Sequence, residues 1–243
     1  MQNYHLIIVL IALLLTSCKT APGSNFLKSV DKNGLSAADR AVGWVSLFNG
    51  TDMNHWRVYR EEGVRGWKVE DGDMVALGLH GNSADLITKD TFSNIELYVE
   101  WNIADGGNSG IFYNVREGDE LHAVYYSGPE YQLLDDTGYK GNLTDKQLSG
   151  SNYDMEAPSS KNEVKLAGEW NSSRIIVDEG HVEHWLNGKM VVSYDIGSAK
   201  WQDQKMNSKW KDMKSYAAYK SGHIALQDHG NEIRFRNLKI RRI

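Results

Sequence analysis

Apolar and polar side chains alternate along most of this chain with the period of a β-strand. The pattern is cleanest from Asn94 to Ile103. Ile95, Leu97, Val99, Trp101 and Ile103 fall on one face there, and Glu96, Tyr98, Glu100 and Asn102 on the other. Trp67–Glu70 and Asp73–Ala76 alternate around Asp71-Gly72, a dipeptide suited to a tight hairpin turn. Further strands are expected at Ala84–Thr88, Ser109–Val115 and Pro129–Asp136. Trp170–Asp178, His181–Leu186 and Lys189–Tyr194 read as a meander whose last turn is Asn187-Gly188. Gly222–Gly230 reads as one strand running into a glycine turn, and Glu232–Arg236 as the next.

Helix signals are sparse. One turn is expected near Ser36–Arg40 and one after Thr144, inside a Gly-, Ser- and Asn-rich loop from Gly138 to Pro158. A longer helix is expected over Asp203–Tyr219, where Trp201, Lys205, Trp210 and Met213 form a partial stripe. Many short strands joined by turns make the fold all-β, a β-sandwich with one or two short helices.

Four strands carry same-face polar pairs: Glu100 with Asn102, Glu130 with Gln132, Gln227 with His229, and Arg234 with Arg236. If those strands share a sheet, the face is a polar concavity fit for a ligand; an ordinary solvated face has the same pattern. Asp228, beside His229, alternates to the opposite side.

Composition adds a compartment. The chain has 243 residues, a net charge of −5 with mixed signs, and one cysteine. Well-mixed charge argues against a nucleic-acid partner, and a lone cysteine forms no intramolecular disulfide. Residues 1–17 read as a lipoprotein signal peptide: Leu6–Leu15 is apolar but too short to span a bilayer, although Met1–His5 lacks Lys or Arg. Leu15-Thr16-Ser17-Cys18 then resembles a lipobox, which makes Cys18 the expected lipidation site and membrane anchor in a bacterial cell envelope. Residues 18–41 read as a tether and 42–243 as one domain. Eight Trp and twelve Tyr suit either a β-core or stacking on sugars. No Gly-Xaa-Ser-Xaa-Gly elbow or phosphate loop is present. His181 and His184 point to opposite faces of one strand, and no metal ligand set stands out. Asp105, Asp135 and Asp136 have oxygens suited to a divalent cation such as calcium or to closing turns.

Six segments in order carry a family resemblance: Leu47–Gly50, Gly106–Phe112, Glu130–Asp136, Ala167–Asn171, His184–Gly188, and Gly222–Arg236 ending in Phe235-Arg236-Asn237. Together they resemble the 3-keto-disaccharide hydrolase family, long known as a domain of unknown function. The resemblance spans about Gly43 to Ile243. It implies a concanavalin A-like jelly roll of two antiparallel sheets. It also implies cleavage of glycosides already oxidised to a ketone at C3, by hydrolysis or by elimination.

That chemistry needs a base for the C2 proton, donors for the enediolate oxygen and an acid for the leaving oxygen. His229 is the candidate base, and Glu130 the candidate acid, or the base if His229 only binds. Asn108, Gln132, Gln227 and Arg236 are candidates for gripping sugar oxygens, with Glu100 and Asp135 as further polar contacts and Trp170 as a stacking platform. A non-catalytic carbohydrate-binding lipoprotein is the alternative, because one sandwich serves both roles.

Overall fold

The computed structural model describes residues 34–78, 82–161 and 163–243. The expected signal peptide, Cys18 and most of the tether lie outside them. Helix α1 (Ala37–Ala41) opens the described chain. The Ser36 hydroxyl accepts from the Asp39 amide and the Asp39 carboxylate accepts from that of Ser36, a capping box. Asp39 also meets Lys239 at 2.9 Å, which ties this end of the tether to the last strand.

Among the described residues thirteen strands follow in chain order, beginning with β1 (Val45–Ser46), β2 (Trp56–Val58), β3 (Trp67–Glu70), β4 (Asp73–Leu77), β5 (Leu86–Thr88), β6 (Ile95–Ile103) and β7 (Asn108–Val115). Then come β8 (Glu130–Leu134), β9 (Asn171–Asp178), β10 (His181–Leu186), β11 (Lys189–Asp195), helix α2 (Ala199–Met206), β12 (His223–Leu226) and β13 (Glu232–Arg242). They form two antiparallel sheets, a concanavalin A-like jelly roll. The larger is ordered β11-β10-β9-β6-β13-β4-β3 with β1 beside β13, and the smaller β2-β5-β12-β7-β8. Asp71-Gly72 and Asn187-Gly188 both turn with positive φ at each residue, as a two-residue hairpin requires.

The apolar faces read from alternation meet in the middle. Ile95, Leu97, Val99, Trp101 and Ile103 of β6 are at most 1 % exposed, and they belong to one cluster with Ile111, Tyr113, Tyr131, Leu133, Ile224 and Leu226 from the smaller sheet. Trp101 is accommodated there because its indole N–H donates to Ser173 Oγ at 2.8 Å. A second, smaller cluster lies on the other face of the smaller sheet, where Tyr59 and Val124 cover Ile87, Ala225 and Phe112.

Two expectations change. β12 pairs with β5 and β7, whereas β13 pairs with β1, β4 and β6, so these consecutive strands belong to opposite sheets. The expected helix over Asp203–Tyr219 is instead α2, starting at the Ser198 cap and ending at Asn207. Asn207 turns its amide back onto the Asp203 carbonyl, and Ser208 Oγ bonds both the Lys205 carbonyl and the Trp210 amide. Short polar side chains here compete for backbone groups and stop the helix.

Candidate active site

The site follows from the register of the smaller sheet. Ile87 lies opposite Ala225, Ala225 opposite Phe112, and Phe112 opposite Glu130. Two residues along each strand, the next row holds Asp85, Gln227, Gly110 and Gln132, with Gly110 paired to Gln132. Side chains of both rows point away from the larger sheet. The chain between β12 and β13 is pinned here: the Gln227 amide donates to the Gly110 carbonyl at 2.9 Å, and Ser109 Oγ donates to the Gln227 carbonyl at 2.7 Å. Above these rows sits a cavity of about 410 Å³, lined by Asn108, Glu130, Gln132, Gln227 and His229 below and by Tyr125, Tyr153, Lys209, Trp210 and Met213 around it.

Glu130 is the chemically loaded member, with 6 % of its surface exposed. Burial pushes its carboxyl up to about 8; the nearby charge of Lys209 pulls it down, and Asp85 pushes it further up. A Cβ on Gly110 would lie 2.5 Å from Glu130 Oε1, so the bare backbone there is the seat of the carboxyl group. With its nitrogen turned toward Glu130 Oε1 and the Ser109 carbonyl, each at 3.1 Å, the Gln132 amide donates to both. Gln227 Oε1 is buried without a hydrogen-bond partner among the described residues, leaving an acceptor for a ligand hydroxyl.

His229 lies exposed at the rim. Among the described residues no hydrogen bond joins Asp228 to it; Asp228 Oδ1 accepts from the Gly230 amide at 3.0 Å and its own N–H donates to Asp85 Oδ1 at 3.0 Å. Burial raises the carboxyl of Asp85 to about 7, and the charge of Asp228 adds to that.

The covering wall is aromatic. Trp210 stacks on Tyr216 with centroids 4.6 Å apart and planes 7° apart, and its indole N–H donates to the Tyr153 carbonyl at 3.1 Å. The Lys209 ammonium lies over the rings of Tyr153 (4.1 Å) and Trp210 (4.3 Å). A wider hollow of about 690 Å³ adjoins the cavity and shares Lys209 and Met213 with it.

Five of the sequence candidates come together around one cavity: Glu130, His229, Asn108, Gln132 and Gln227. It does not place the others. Glu100, Arg236 and Trp170 lie on the outer face of the larger sheet, across the sandwich from the cavity. Arg236 donates to Glu100 at 2.8 Å and its guanidinium covers the Trp170 ring at 3.8 Å. The four polar pairs thus divide between two sheets rather than forming one concavity. Asp135 faces neither: its carboxylate accepts from Gly106 N, Gly138 N and both Thr137 donors, closing the β7–β8 corner. Those N–H and O–H donors engage both carboxylate oxygens of Asp135 in closing the turn. Among the described residues no three His, Cys, Asp or Glu gather as a metal site.

Asp85, Tyr125, Tyr153, Lys209, Trp210 and Met213 escape the sequence reading. Asp85 is legible afterwards as a carboxylate at the head of a strand, where Asp is disfavoured. Lys209 and Trp210 follow Asn207-Ser208, a helix-stopping pair.

Residues 43–241 match the family described as the 3-keto-alpha-glucoside-1,2-lyase-like domain. A protein of Bacteroides thetaiotaomicron named 3-keto-disaccharide hydrolase is 34% identical over 246 residues, which span 90% of this chain and 84% of that protein. Two crystal structures from Parabacteroides distasonis, provisionally assigned to the glycosyl hydrolases, share the fold. One has a TM-score of 0.82 at 38% identity, covering 87% of this chain and 99% of its own. The other has a TM-score of 0.62 at 26% identity, covering 82% and 99%. With the family match spanning nearly all of the domain, this chain belongs to the 3-keto-alpha-glucoside-1,2-lyase-like family of glycoside-cleaving proteins.

Proposed function

We propose that this protein cleaves the glycosidic bond of glycosides carrying a ketone at C3, with Glu130 taking the C2 proton. A C3 ketone acidifies that proton. The enediolate formed on its removal expels the C1 substituent, giving an unsaturated keto-sugar, or the free 3-keto-sugar once water adds at C1. The observation that carries the assignment is a buried carboxyl, raised to about 8 and seated on the Gly110 backbone at the cavity floor. A base held near working pH on a rigid strand combines useful basicity with fixed geometry. The amides of Asn108 and Gln227 face the same space and suit the ring hydroxyls and the enediolate oxygen. His229, at the rim and without an orienting carboxylate, fits a binding role better than that of base.

The experiment is release of the leaving group by purified protein from a 3-keto-glucoside and from its unoxidised parent. Release from the ketone alone is the expected result, with deuterium at C2 of any free 3-keto-sugar formed in heavy water. No release at any pH from 5 to 9, with or without divalent metal, overturns the reading, and sugar binding without turnover points to a carbohydrate-binding role. Product identity separates elimination from hydrolysis. We also propose that Cys18 carries lipid and holds the protein at the cell envelope. Labelling with a fatty acid that Cys18→Ser does not reduce is the result that removes this anchor.

A further inference from the structure

Two hollows meet at Lys209 and Met213. Lys209 lines both the inner cavity, with Glu130 on its floor, and the outer hollow of about 690 Å³ beyond Met213. Its seat is stiff: the Lys209 amide donates to Asp154 Oδ2 at 2.7 Å, and the adjoining Trp210 is locked into the stack with Tyr216. Two ring faces hold the ammonium, which makes no hydrogen bond or ion pair with another described residue. Its three N–H donors are available to a ligand at the passage between the hollows.

Resting on the glycoside-cleavage reading above, we propose that Lys209 is the acid that protonates the departing glycosidic oxygen, and that the outer hollow receives the leaving group. A ring seated with C2 at Glu130 has its C1 substituent directed out of the cavity, and the adjoining space large enough for it lies past Lys209. The glycosidic oxygen then sits at the junction. In the step, the C2–H electron pair becomes the C1–C2 double bond and the C2 proton passes to the Glu130 carboxylate. The C1–O pair leaves with oxygen, which takes a proton from the ammonium. The resulting amine regains its proton from water through the outer hollow. Hydrolysis and elimination both need this proton, so the assignment holds for either product. Lys209 is exposed as a residue, but the protein packed around its ammonium withholds water and lowers its pKa, while Glu130 and Asp154 oppose that shift.

The test compares two 3-keto-glucosides, one with a 4-nitrophenolate that departs without a proton and one with a second glucose that does not. Lys209→Met is expected to lose about 100-fold or more in kcat on the glucosyl substrate, within the range for general acids, and less than about tenfold on the nitrophenyl one. Lys209→Arg keeps the charge and the ring contacts but holds its proton too tightly to donate; it should not restore the glucosyl rate. Equal losses on both substrates, or full recovery with Arg, overturn the proposal. If Lys209→Met does not fold, the wild-type protein decides: a shallow dependence of kcat on leaving-group acidity supports the acid, and a steep one overturns it. Wild type inactive on both substrates removes the glycoside-cleavage reading itself, an outcome distinct from selective failure at Lys209.

Discussion

Replacing Glu130 by Gln removes a charge while keeping the shape of the side chain, and its effect on stability is calculable. The carboxyl titrates near 4.5 in an unfolded chain and at about 8 in the folded protein. Below pH 4.5 it is protonated in both states and contributes nothing to pH dependence. Between the two values the unfolded chain has lost the proton that the folded protein still holds, so rising pH favours unfolding. Each pH unit in that window costs about 1.4 kcal/mol, reaching at most about 5 kcal/mol above pH 8. Gln at this position carries no such penalty, and its amide can still bond with Gln132, whose own amide orients either way. Urea denaturation of both proteins from pH 4 to 9 should give similar stabilities at the acid end. At pH 9 the variant should be more stable by several kcal/mol, a melting difference on the order of 10 °C for a domain of this size. The same variant should lose turnover. A stability gap that stays constant with pH refutes the buried-carboxylate argument, because nothing else in the substitution titrates there.

With Glu130 as the C2 base, kcat/KM rises with pH and levels off above about 8; a fall through that range in a pH–rate profile makes it an acid instead. Gly110→Ala places a methyl 2.5 Å from Glu130 Oε1 in ordinary strand backbone, so kcat should drop sharply while circular dichroism stays native, with about 1–3 kcal/mol lost in denaturation. Asp85→Asn keeps an acceptor for the Asp228 amide, whereas Asp85→Ala leaves that donor bare, so Ala alone should raise KM and remove about 1–3 kcal/mol. Arg236→Ala, across the sandwich from the cavity, should leave kcat/KM within about twofold and reduce stability by less than about 1 kcal/mol, since its ion pair with Glu100 is partly exposed.

How far the sequence reaches depends on how local the cause is. β6 and its core face are legible because alternation is a property of the strand itself, and Asp71-Gly72 and Asn187-Gly188 announce their hairpins because the turn needs those φ angles. Which sheet a strand joins is set by contacts far along the chain. Arg234 and Arg236 therefore look like Gln227 and His229 in sequence, yet lie on opposite outer faces. The same limit separates Glu100 and Trp170 from the cavity. Glu130 and Gln132 are found because one strand carries both; Lys209, Tyr125 and Asp85 reach the site from three separate segments whose approach no periodicity encodes. The partial apolar stripe near Trp210 imitates a helix because Trp201, Tyr216 and Trp210 stack on one another across a loop.

The passage of the chain from β12 in one sheet to β13 in the other has a practical consequence. Gln227 and His229 line the cavity and, with Asp228 between them, form the seam by which the last strand of one layer is fastened to the centre of the next. A ligand that braces this seam also braces the sandwich, so occupancy should register as a rise in whole-domain melting temperature set by ligand concentration over Kd. Thermal-shift screening of oxidised sugars is therefore a direct route to the natural substrate, and it remains usable with Glu130→Gln, where turnover no longer consumes the compound.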